Sequence, residues 1–194
     1  MGVVIGVDVG QKRDPTAICV VEPEERPWKD RTEVHYPVRY LERLPLGTPY
    51  PEVAQRLAQV VLRAQAKTTE GPDVFVDATG VGQPVVDLLR VEAPQAHVIA
   101  VYFTHGNRRK TEQGGMVKLG KAWLVSRLQM LLQNGRLHLP RTAEAEALAR
   151  ELLDYEIRVS EDANDRYGAF RVGTHDDLVT ALGLAVQLDP RLAP

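Results

Sequence analysis

The chain has 194 residues, 26 acidic against 24 basic side chains for a net charge of -2, 44% apolar residues and one cysteine. That length suits one domain, burying about 70% of the surface that the unfolded chain exposes, and two full domains would be cramped. The single cysteine, Cys19, excludes an intrachain disulfide and a thiolate zinc site and points to a reducing compartment. The absence of both a basic leader and a run of roughly 18 apolar residues argues against secretion and membrane insertion and for the cytoplasm.

Val3 to Val9 reads as a buried strand that carries Asp8 at its end, and Gly10 to Pro15 supplies a turn into a second strand, Thr16 to Val21. Glu22 to Arg31, with Pro23 and Pro27 among seven charges, reads as an exposed loop before a third strand, Glu33 to Leu44. Pro51 to Lys67 carries Val53, Leu57, Val60, Val61 and Ala64 at helical spacing. Asp73 to Val76 is a short strand leading into Asp77, after which Gly80 and Gly82 turn the chain into a helix beginning at Val85 to Leu89. Val98 to Phe103 is the next strand.

A basic loop, Thr104 to Gly115, follows, and Met116 to Gln133 reads as one long amphipathic helix closed by Asn134-Gly135. Thr142 opens another helix, with Glu144 and Glu146 near its positive end. Tyr155 to Ser160 and Tyr167 to Val172 read as a hairpin, and Thr174 as the cap of a last helix, His175 to Leu188. Three strands in series, then alternating helices and strands, predict an α/β domain over 1–194 with a central mixed sheet, three antiparallel strands followed by parallel ones, flanked by helices.

The near-zero net charge hides an asymmetry. From His105 to Arg127 there are six basic residues against one acid, a balance of +5, whereas Glu144 to Asp165 has eight acids and two arginines, a balance of -6. Segregation of this kind suggests one face that meets an anion, with ordinary solvated surfaces as the plain alternative.

Three places put aspartate where a scaffold can aim it: Asp8 and Asp77 at strand ends, and Asp176-Asp177 at the start of the last helix. Strand ends of an open α/β sheet face its functional edge. Carboxylates crowded there repel one another unless some stay protonated or a hard cation binds, and an all-oxygen donor set suits Mg²⁺ or Mn²⁺. Taken singly, each has a plainer reading as a turn or helix-dipole residue.

Together these residues resemble the three acidic motifs of the nuclease domain of viral terminase large subunits, in the RNase H-like superfamily. The motifs are Gly6-Val7-Asp8-Val9-Gly10, Val76-Asp77-Ala78-Thr79-Gly80-Val81-Gly82 and His175-Asp176-Asp177-Leu178-Val179-Thr180-Ala181-Leu182. Asp14 to Ala17 and the passage Leu128 to Pro140 extend the resemblance over nearly the whole chain. It implies a metal-dependent endonuclease that cuts concatemeric double-stranded DNA during genome packaging in the host cytoplasm, with two cations roughly 3.5–4 Å apart across the scissile phosphate. By position it makes Asp8, Asp77 and the Asp176-Asp177 pair the metal ligands, Asp8 shared by both ions. Helix geometry favours Asp177 as the main ligand and Asp176 as the outer or second-metal one, with His175 in an auxiliary or capping role.

Phosphate contacts are expected from Arg108, Arg109, Lys110, Lys118 and Lys121. The packaging ATPase domain that normally precedes such a nuclease is not expected within this sequence, which leaves either an excised nuclease domain or a stand-alone nuclease, with a packaging ATPase domain, separate or excised, and a portal as the implied partners. Gly115 to Ala122 approaches a phosphate-binding loop but ends in Ala122, which has no hydroxyl for a cation. A Holliday-junction resolvase is the nearest rival, disfavoured by Asp77 where such enzymes carry Glu. An actin-like ATPase fragment would need a second similar domain, and a nucleic-acid-binding module with purely structural acids is the inert alternative.

Overall fold

Alternation along the first strand sets the layering. β1 (Val4–Asp8) sends Val4 into one core and Ile5 and Val7 into the other, so it lies at the centre of a three-layer molecule. The computed structural model describes residues 2–10, 14–66, 71–80, 82–159, 165–168 and 175–187. β1 pairs antiparallel with β2 (Ala17–Val21) and parallel with β5 (Asp73–Asp77). Beyond β2 lie β4 (Arg31–Arg43) and the edge strand β3 (Glu24–Trp28). Beyond β5 lie β6 (His97–Thr104), β8 (Val117–Gly120) and β7 (Arg109–Thr111), the first two parallel to β5 and the last antiparallel. The two-residue β9 (Leu137–His138) joins β4.

Helices α1 (Tyr50–Gln65) and α2 (Gly82–Glu92) cover the Ile5 face. α3 (Lys121–Gln133), α4 (Ala143–Asp154) and α5 (Asp177–Ala185) cover the Val4 face. A small hairpin, β10 (Glu156–Val159) and β11 (Asp165–Gly168), completes the described structure. The mixed sheet and its flanking helices are the architecture that the order of elements predicts. No helix among the described residues is long and apolar enough to cross a membrane.

Two elements differ from the sequence reading. Part of the expected loop 22–31 is strand: β3 pairs with β4 through a tight turn in which Lys29 takes φ 51°. Pro27 is tolerated because β3 is the outermost strand and owes no hydrogen bond to a further neighbour. The expected helix from Met116 instead starts at Lys121, because Val117 and Leu119 point inward around an exposed Lys118, the period of a strand, and pair beside β6. The basic segment before it contributes β7 to the same hairpin. α4 is capped as expected, Ala145 N–H donating to the Thr142 hydroxyl at 3.2 Å. The expected cap at Thr174 and the outer ends of the 155–172 hairpin lie outside the described residues, while the last helix is shorter than the expected His175 to Leu188, running from Asp177 to Ala185 with Asp176 at its N-cap position.

α5 is the buried helix of the molecule, all nine of its residues being inaccessible. It lies directly on β1 at Gly6, where a Cβ would stand 2.0 Å from the Ala181 carbonyl oxygen and 2.5 Å from the Ala185 nitrogen. On its other side Gly183 admits Leu124 of α3, whose side chain would be 2.4 Å from an added Cβ. Backbone cannot yield as a side chain can. Gly6→Ala should therefore cost more than about 3 kcal/mol or prevent folding, and Gly183→Ala about 1–3 kcal/mol, both read from denaturant midpoints; an undisturbed Gly6→Ala protein would contradict the packing of α5 on β1.

Cys19 lies buried in β2, and burial pushes its thiol up. A thiol-specific reagent at pH 8 should label it only after unfolding. Because the unfolded thiol releases its proton near pH 9.0 while the folded one keeps it, stability should fall as pH rises through that value.

Candidate active site

Register and side-chain parity bring the strand-end residues together. Val4, Gly6 and Asp8 share the α5 face of β1, and Phe75 and Asp77 share that face of β5. The pairing Val7 with Val76 sets Asp8 beside Asp77 at the carboxyl ends of neighbouring parallel strands. Asp8 also stands opposite Ala17, and Ala17 opposite Arg43, so one row across β1, β2 and β4 ends on a guanidinium. The close approach at Gly6 then lays the start of α5 over this row, with Asp176 at its N-cap position and Asp177 as its first residue.

The electrostatics register the gathering. The Asp8 carboxyl is pushed well above the usual carboxylate range by burial first and then by the charges of Asp77, Asp176 and Asp177, opposed by Lys121. Asp77 is raised by burial, against the hydrogen bonds from Thr79 and the charge of Lys121. Its Oδ1 accepts the Thr79 N–H at 2.8 Å, an Asx turn held in place by the Thr79 hydroxyl, which accepts from Phe103 N–H at 2.8 Å. Gly82 closes the turn, because a Cβ there would stand 1.7 Å from the Asp77 carbonyl oxygen.

Asp177 is 2% exposed, and its Oδ2 accepts from Arg43 Nε at 2.6 Å. Its Oδ1 is buried without a hydrogen-bond partner, as is His175 Nδ1, 3.9 Å away and beyond hydrogen-bond reach. Among the described residues no three of His, Cys, Asp and Glu stand close enough to ligate one ion as they are. Arg43 holds one oxygen of Asp177 and Thr79 one of Asp77. The chemistry of the donor set nevertheless fits a hard divalent cation: the four carboxylates share one field, and one buried oxygen among them is unpartnered.

The basic residues divide. Lys121, first residue of α3, places its ammonium 5.5 Å from the Phe103 ring and within the field of Asp8 and Asp77, so it belongs to the acidic centre. Arg108 is exposed on the loop after β6. Arg109 is half-buried on β7, its Nε has no hydrogen-bond partner, and burial with the charge of Arg127 pushes its guanidinium down. Lys110 and Lys118 face each other across β7 and β8 and share Glu112, at 3.2 and 3.4 Å. They stand on a strand hairpin, so the expected placement of Lys118 and Lys121 on one helix does not hold.

Sequence reasoning missed Arg43 and Glu151. Glu151 counted as surface acid, yet it continues the buried stripe Ala145, Leu148 of α4 and is 8% exposed. Burial first and the charge of Asp177 second push its carboxyl up to about 7. A carboxylate in register with an apolar stripe was the available signal.

Residues 5–188 match the family described as the terminase RNaseH-like domain. Solved structures similar to the chain include the large terminase nuclease from thermophilic phage G20c with bound magnesium, at TM-score 0.67 and 20% identity over 95% of this chain and 79% of that one. A mutant nuclease domain of the large terminase subunit gp2 of bacterial virus Sf6, with manganese and beta-thujaplicinol, aligns at TM-score 0.65 and 13% identity over 97% and 89%. The manganese-soaked human cytomegalovirus terminase nuclease domain aligns at TM-score 0.58 and 12% identity over 94% and 80%. These likenesses establish the RNase H-like fold. No curated protein matches the chain.

The burial and crowding of Asp8 yield a stability prediction. Its raised folded-state value means that ionising Asp8 works against folding as pH rises above 3.8, the ordinary value. Asp8→Asn should accordingly raise the melting temperature in chelator at pH 8, by on the order of 1 kcal/mol or a few degrees, while removing most of any stabilisation by Mn²⁺. Calorimetry with and without the cation measures both.

Proposed function

The chain belongs to the terminase RNaseH-like domain family, and from that premise we propose that it is a metal-dependent endonuclease hydrolysing phosphodiester bonds of double-stranded DNA, as in the cutting of concatemeric genomes during packaging. The observation that carries the reading is the convergence of Asp8, Asp77, Asp176 and Asp177 on one sheet edge, where the charges of the other three add to burial in raising the Asp8 carboxyl. Relatives of this fold include terminase nucleases solved with magnesium and manganese, which supports Mg²⁺ or Mn²⁺ as the cofactor. Asp8, Asp77, Asp176 and the Oδ1 of Asp177 are the groups that would hold two such cations. When bound, divalent cations supply activation of the attacking water and neutralisation of the charge that develops on the phosphate and the leaving oxygen.

The remaining steps fall to the chain. Arg43 holds Asp177 by its Oδ2 and leaves Oδ1 for a ligand. Lys121 tempers the negative field and offers an ammonium to a phosphate oxygen at the same edge. Arg108, exposed beyond the carboxyl end of β6, would bind backbone phosphates, whereas Lys110 and Lys118 are partly engaged by Glu112. Contacts of this kind fix the duplex without reading its bases. The motor ATPase domain and the portal are the partners that such a nuclease implies.

Nicking of supercoiled plasmid in Mg²⁺ or Mn²⁺ tests the reading. Asp8→Ala and Asp77→Ala should each reduce the rate at least about 10³-fold while leaving duplex affinity in chelator within about threefold. A parent protein inactive with both cations, or undiminished cleavage by either variant, would defeat it, and a strong preference for four-way junctions over linear duplex would move it to the resolvases. Arg108→Ala should weaken binding of all sequences about equally and lower the slope of log K against log salt by about 1.

A further inference from the structure

The first turn of α5 overlies the acidic edge, and its leading N–H groups need acceptors from outside the helix. Asp176 stands at the N-cap position and is of a type that caps well, yet its side chain makes no capping hydrogen bond. The acceptor comes from another helix. Glu151 Oε2 of α4 receives Leu178 N–H at 3.0 Å and Val179 N–H at 3.3 Å.

The other oxygen of the same carboxylate, Oε1, pairs with Arg43 Nη2, and Arg43 Nε donates to Asp177 Oδ2 at 2.6 Å. Glu151 and Asp177 are nearly inaccessible, so this chain of contacts is shielded from screening by salt. A leucine at position 151 would continue the apolar stripe of α4 and remove a buried charge; a glutamate there has to be accounted for by what it holds. What it holds is the start of α5 and, through Arg43, the end of β4.

We propose that Glu151 and Arg43 are positioning residues. Glu151 caps α5 from α4 in place of Asp176, and Arg43 fixes one oxygen of Asp177, so that the Asp176 carboxylate is not spent on capping and Asp177 Oδ1 stays outside the ion pair. Asp177 Oδ1 then remains available to the edge occupied by Asp8. The consequence for cation affinity rests on the nuclease reading; the capping itself does not.

The experiment uses the full chain and two variants, Glu151→Ala and Glu151→Gln, with Arg43→Ala as a third. Glutamine keeps one oxygen for the α5 amides but offers no charge to Arg43. Native-state hydrogen exchange at Leu178 and Val179 reads the cap without DNA or metal, and Mn²⁺ binding followed by electron paramagnetic resonance reads the placement of the carboxylates without turnover. Glu151→Ala should speed exchange at both amides at least tenfold relative to those of β1. It should also weaken Mn²⁺ about 10–100-fold, with Arg43→Ala doing likewise to Mn²⁺, while Glu151→Gln restores most of the amide protection.

Parent-like exchange in Glu151→Ala overturns the cap, as does a glutamine variant no better protected than alanine. Parent-like Mn²⁺ affinity in both the Glu151→Ala and Arg43→Ala proteins overturns the positioning role. If Glu151→Ala does not fold, Glu151→Gln decides: retained protection with weakened Mn²⁺ supports the proposal, and no change in Mn²⁺ overturns it. A parent that cleaves no DNA but shows these exchange and Mn²⁺ shifts leaves the positioning role standing and removes the nuclease reading alone.

Discussion

The close contact between Gly6 and the backbone of α5 is the constraint from which the site follows. A hydrogen at that position lets the Ala181 carbonyl and the Ala185 amide lie against the sheet, where even a methyl group would collide. Everything at the edge is measured from there. The parity that turns Gly6 toward α5 also turns Asp8 toward it, two residues on, and the start of α5 then falls over the strand end. Gly183 repeats the device on the outer side of the helix, drawing in Leu124 and, one turn earlier in α3, Lys121. Two glycines thus set the depth of the helix that carries two of the four acids and the approach of the lysine that opposes them.

Close packing brings a charge problem with it. Burial first, and then the charges of the other three acids, raise the cost of ionising Asp8, and burial raises it at Asp77. The molecule answers with fixed positive groups at different distances: the Arg43 guanidinium on Asp177, the Lys121 ammonium in the field of Asp8 and Asp77, and the N-terminal end of α5. Asp8, the acid set among the others, has the Lys121 charge to oppose the rise, whereas Asp177 has the Arg43 guanidinium hydrogen-bonded to it. The sequence-based preference for Asp177 over Asp176 rested on the buried side of the helix, and Asp177 is indeed the more buried of the two. But burial is also what delivers it to Arg43, so a single oxygen is left for other work.

The sheet and its edge were largely legible because they obey short-range rules. A strand apolar on both faces and ending in aspartate implies a central strand, and two of them running parallel imply neighbouring carboxylates. The failures come from places where one period imitates another. Val117 and Leu119 continue smoothly into the helical stripe of Leu124 and Leu128, and only pairing with β6 reveals them as strand. Pro27 signals a loop locally and is permitted in a strand only by the edge position, which is a property of the whole sheet. Arg43 and Glu151 lie 108 residues apart and meet only in three dimensions; of the two, Glu151 alone left a trace, as a charge where α4 is otherwise apolar.

The overall charge of -2 says little about which ligand such a surface accepts, because opposite charges are sorted by element. The acidic side chains of β1, β5 and α5 converge on one edge, while Arg108 lies beyond the end of β6 and Lys121 at the end of β8, on the side of the edge away from β2 and β4. A polyanion would meet the β6 and β8 side first, since the field over Asp8 repels it. Lys121 stands at the boundary between these regions, close enough to feel both carboxylates and seated on the Phe103 ring. Its ammonium is therefore better placed to mediate between an anion and the acids than to add one more outward contact, whereas Arg108 faces solvent.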